Sequence, residues 1–190
     1  MKNTLILAAS LATLALGGCG KKDETPTVAT DGAPDVAATD PMAGATATPA
    51  ASPAQAFVDA AATSDMFEIE TSKLAATKAG DAKVKTFAEQ MIKAHTESTA
   101  KLKTAASAAS PAISPMPSMT DIQQRTLADL QGKSGAEFDK AYAAAQVDAH
   151  QMALDALKAY AASGEVPSLK SFAGELGPIV TAHLNMAKAL

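Results

Sequence analysis

The side chains best suited to chemistry in this 190-residue chain are its three histidines, His95, His150 and His183. Each lies on a different stretch of helical periodicity, at or near the apolar stripe. His95 shares its face with Val84, Phe87, Ala88, Met91 and Leu102; His150 follows Phe138, Tyr142 and Ala149; His183 follows Leu176 and Val180. Neutral imidazole suits zinc, copper, iron or nickel. Glu68, at the edge of the inner face of an earlier stretch, adds a carboxylate. Met91 lies four residues before His95 and Met186 three after His183, whereas Met152, two residues from His150, is off its face. Thioethers are soft ligands, so a His and Met set favours copper. The candidate site is therefore a transition-metal site of His95, His150 and His183, supported by Glu68 or Met91. The competing reading is a polar core, in which buried histidines bond to carboxylates or hydroxyls and Met fills gaps. Taken as fractions of helix length, the positions put His95 and His150 at similar heights and His183 offset toward one end. Where the three lie relative to one another decides between the two readings.

Other chemistries find little support. A ferritin-like di-iron site needs Glu-x-x-His pairs, but the residues three before the histidines are Ile92, Val147 and Val180. No Gly-x-Ser-x-Gly elbow and no glycine-rich phosphate loop occurs. Lys73, Lys78, Lys83, Lys85 and Lys93 are interleaved with acidic residues, as on a solvated face. A net charge of -4 without a basic cluster argues against nucleic acid. With no recognisable catalytic set, the first expectation is a non-enzymatic binding or envelope-stress module of unknown ligand. The metal-binding protein is the alternative.

The elements that must position these residues read as helices. Aromatics are only 4% of the chain and Trp is absent; such an Ala-rich composition suits closely packed helices better than strands. Ser52-Pro53 caps and starts a helix that runs to about 79. Gly80 stops it, and Asp81 caps a second helix over about 82–109. Pro111, Pro115 and Pro117 fill the next connection. A short helix begins at Thr120-Asp121 and breaks at 132–135. A third long helix covers about 136–162, and a fourth runs from Pro167 to the C-terminus, with a kink expected at Pro178. The fold class is all-α: an antiparallel four-helix bundle with a short extra helix between its second and third long helices.

Ahead of the bundle, Met1-Lys2-Asn3 and the apolar run 4–16 fit a signal peptide, and the run is short for a bilayer span. Leu16-Gly17-Gly18-Cys19 resembles a bacterial lipobox, which implies cleavage before Cys19 and lipidation of the chain's one cysteine. Gly20, rather than Asp, follows it; this leans toward the outer membrane, with the protein facing the periplasm. The segment after it, rich in Ala, Thr and Pro, reads as a disordered tether. The expected organisation is signal peptide 1–18, lipidated Cys and tether 19–52, and bundle 53–190, with the membrane as partner through the N-terminal lipid.

Four motifs resemble one family: Phe67-Glu68-Ile69 through Leu74-Ala75; Val84 through Ile92 with His95-Thr96; Phe138 through Tyr142 with Gln146-Val147 and His150; and Pro178 with His183-Leu184. This is similar to the bacterial domain-of-unknown-function family 4142 of secreted or outer-membrane proteins. The resemblance covers about 55–190. It implies a ferritin-like fold and an envelope location, and it implies no activity. Ala94 stands where the family usually has an acidic residue before the second helix's histidine.

Overall fold

The computed structural model describes residues 51–190. The expected signal peptide, Cys19 and almost all of the tether lie outside them. Among the described residues the fold is all-α, with five helices: α1 (Pro53–Lys78), α2 (Ala82–Ser107), α3 (Asp121–Gln131), α4 (Gly135–Ser163) and α5 (Pro167–Ala187). None of them is long and apolar enough to cross a membrane.

Local chemistry accounts for the boundaries. The Ser52 side chain accepts from the Gln55 N–H and Asp81 from the Lys83 N–H, so each satisfies an amide that the first helical turn leaves free. Thr120 and Gln123 form a reciprocal capping box at the start of α3. The connections 79–81 and 164–166 are three residues long, which makes α1 with α2, and α4 with α5, hairpin pairs. α1 packs on both α2 and α4, α5 packs on both α4 and α2, and α3 leans on α1 and α4. At the first turn Ala79 pairs with Gly135, whose φ of +59° only glycine adopts cheaply. Asp139 on α4 accepts from the Gly80 and Asp81 amides, which ties this turn to the other hairpin. α5 continues through Pro178 as one helix.

The core has two apolar clusters. One includes Phe57, Leu102, Leu157, Tyr160, Leu169 and Phe172, with Phe57 stacked on Tyr160 at 4.0 Å between ring centroids. The other includes Val84, Phe87, Met91, Leu130, Phe138 and Tyr142. Each fully buried Leu or Phe contributes about 1.5–3 kcal/mol. Between the clusters, along α1, α2 and α4, lie buried polar residues: Asp65, Glu68, Thr71 and Ser72; His95 and Ser98; Gln146 and His150. This polar layer is where the histidines meet.

Candidate metal centre

The three histidines converge. Ring centroids are 5.5 Å apart for His95 and His150, 5.6 Å for His150 and His183, and 5.9 Å for His95 and His183. One ligand atom from each lies within 4.8 Å of the other two. The expected offset of His183 toward one end is therefore wrong. Height is set by distance from the shared turn, not by fraction of helix length. His150 lies 13 residues before the end of α4 and His183 16 residues after the start of α5, or roughly 20 and 24 Å along the axes. The same count explains α1 and α2: Asp65 lies 13 residues before the end of α1 and His95 13 after the start of α2.

Two of the three inner nitrogens are set by a partner on the opposite side of the ring. His95 Nδ1–H donates to Asp65 Oδ1 at 2.8 Å, which leaves Nε2 buried without a partner. Thr99 donates to the other Asp65 oxygen at 3.0 Å and holds the carboxylate in place. His150 Nδ1–H donates to the Gln146 carbonyl at 2.8 Å, and again Nε2 is buried and free. His183 is partly exposed, and its Nδ1 is the third buried nitrogen without a partner. A carboxylate or carbonyl on the far nitrogen fixes the tautomer and raises ligand basicity, the usual support of a metal-bound histidine. Bonds of 2.0–2.1 Å put tetrahedral ligands roughly 3.4 Å apart, so the rings need to draw inward by about an ångström. Three ring nitrogens without protein partners, from imidazoles whose ligand atoms lie within 4.8 Å of one another, fit a metal ion.

Glu68 is buried on α1, with Oε1 3.5 Å from His150 Nδ1. That N–H is already given to the Gln146 carbonyl, and neither Glu68 oxygen has a hydrogen-bond partner. Burial pushes its pKa up to about 7, against the opposing pull of His95. Glu68 is outside the converging trio and stands beside it as an outer carboxylate. Burial lowers His150 to about 3 and His183 to about 4, with His95 adding to both shifts, so these two imidazoles are neutral at physiological pH. Burial also works to lower His95, but the Asp65 hydrogen bond and the charges of Glu68 and Asp65 outweigh it and raise its pKa.

Met91 is fully buried in the apolar cluster with Phe87, Phe138 and Tyr142, the environment of a core filler. Met152 and Met186 are exposed. Asp65, which sequence reasoning missed, is the most informative addition; its signal was its spacing three residues before Glu68 on the same face. Further from the trio, Ser72 and Tyr142 share a hydrogen bond at 2.7 Å, and Gln146 donates to Thr71 at 3.2 Å. Tyr142 thus has the hydroxyl partner a core tyrosine needs.

A helical protein with three imidazoles converging in its core is the class that fold and site define. The chain belongs to the family described as domain of unknown function (DUF4142), whose sequence profile matches residues 39–190. No curated protein sequence matches it. Solved structures share the fold: CopM in the Cu(I)-bound form (18% identity, TM-score 0.59), in the Cu(II)-bound form (18%, 0.60) and in the Ag-bound form obtained by co-crystallization (19%, 0.59). Each covers 72% of this chain and 93% of its own.

Proposed function

We propose that this protein binds a transition metal, copper first, through His95, His150 and His183. The observation that carries this reading is the meeting of three buried nitrogens that lack partners, two of them with the opposite ring nitrogen tied to an oxygen. A purely structural polar core has no reason to gather three unpartnered ring nitrogens, since each unmet polar group costs about 1–3 kcal/mol. Among the metals that imidazole suits, the copper and silver bound by the similarly folded CopM structures favour copper. The domain is read as a ferritin-like antiparallel four-helix bundle with α3 in the connection between α2 and α4. It acts as a non-enzymatic binding module, held at the envelope through a lipid on Cys19 and facing the periplasm.

Titration of the purified metal-free protein with Cu(I), Cu(II) and Zn(II) against competing chelators tests the reading. One copper per chain is expected. His150→Ala and His183→Ala should each weaken binding by more than the ~10–100-fold that loss of an outer partner costs. No stoichiometric binding, or binding indifferent to both substitutions, overturns it.

A further inference from the structure

A cavity of about 380 Å³ opens beside the trio, and His95 and His183 form part of its wall. Its volume is within the range of small-molecule pockets. Small side chains make the space: Ala60 and Ala61 on α1, Ala94 on α2, Ala149 and Ala153 on α4. Among its lining residues Ile122, Met152 and Ile179 are exposed, so apolar side chains border the cavity where it meets solvent. Asp65 is the one charged side chain in the lining, and no Lys or Arg accompanies it. An anionic ligand therefore has no cation there apart from a metal.

We infer that the metal centre takes a fourth, exogenous ligand from this cavity: a small neutral molecule with one lone-pair donor atom and an apolar body. The inference rests on the metal-binding reading. Three protein ligands leave one tetrahedral position open. Two of the three imidazoles, His95 and His183, line the cavity, which places it beside any ion the trio would hold. The donor atom binds the metal while the apolar body lies against the alanines and beneath Ile179 and Met152. No bond is broken and no electron is transferred; this is reversible coordination coupled to apolar burial.

The probes are 1-methylimidazole and 1-butylimidazole, titrated into the Co(II)-loaded protein and followed by its visible d–d spectrum. Each buried methylene is worth roughly fourfold in affinity, so the butyl compound should bind at least tenfold tighter than the methyl one. Ala153→Phe should reduce that ratio to about one; the ratio is taken within each protein, so a general change in affinity cancels. Should A153F fail to fold, Ala60→Leu serves the same purpose. In Zn(II)-loaded wild type, nuclear Overhauser contacts from the butyl arm to the Ile179 and Met152 methyl groups should locate it without any substitution. Equal affinities for the two probes, or an arm without those contacts, overturn the inference while leaving metal binding intact. Absence of both a Co(II) spectrum and stoichiometric copper binding overturns the metal-binding reading, and this inference with it.

Discussion

Asp65 does at residue scale what the trio cannot do for itself. By accepting from His95 Nδ1–H it commits that ring to one tautomer and turns Nε2 toward the centre. Asp65→Asn keeps the shape but lets the amide donate, which favours the wrong tautomer. Metal affinity should fall about 10–100-fold, and isothermal titration of the variant checks it; an unchanged affinity makes the Asp65 bond incidental. Glu68 predicts the opposite balance between binding and stability. Its folded-state pKa is raised from 4.5 to about 7, so the folded protein keeps a proton that the unfolded chain releases. Its contribution is favourable at low pH, is lost progressively from about 4.5 to about 7, and stays lost above. Glu68→Gln removes the ionisation, so the metal-free variant should gain a few kcal/mol over wild type at pH 8 and almost nothing at pH 4. Denaturant titrations at both values check this; an equal gain at each contradicts it.

At the scale of the element, α5 differs from the other helices. Pro178 has no N–H to give the Gly174 carbonyl, and the proposed ligand His183 lies five residues beyond it. One missing helix bond, worth about 1 kcal/mol net, should lower the cost of opening the end of α5 locally. Metal should then enter and leave by motion of His183. Pro178→Ala should slow copper exchange severalfold while leaving the dissociation constant of the same order; stopped-flow transfer to a chelator measures the rate, and an unchanged rate contradicts the idea. The elements themselves were well marked in the sequence. Ser52 and Asp81 announced their helices, Gly80 and Gly164 the turns, and the proline cluster the long connection, because caps and breakers act over a few residues. The site was only half marked. His95, His150 and His183 were visible as polar interruptions of apolar stripes. Their meeting was not, because it depends on how two hairpins align, and a count of residues from the wrong reference offset His183 toward one end. Asp65 was overlooked because a carboxylate on a helix looks like a solvated residue until its neighbour is known.

At the scale of the whole molecule, the proposed metal binding and the proposed lipid anchoring are assigned to different parts of the chain. The proposed metal centre is complete within the described residues, and Cys19 lies outside them. Cys19→Ser should release the protein from the membrane fraction into the soluble periplasm and leave copper stoichiometry at one; persistent membrane retention rules out the lipid anchor. The two apolar clusters, with the polar layer between them, have an optical consequence as well. The chain has no tryptophan and two tyrosines. Tyr142 belongs to one cluster and Tyr160 to the other, so each half of the bundle carries its own intrinsic chromophore. Replacing either tyrosine by phenylalanine leaves a single-site reporter of the opposite half. If the two reporters melt together with copper and apart without it, the histidine layer is the coupling by which one end of the molecule senses the other.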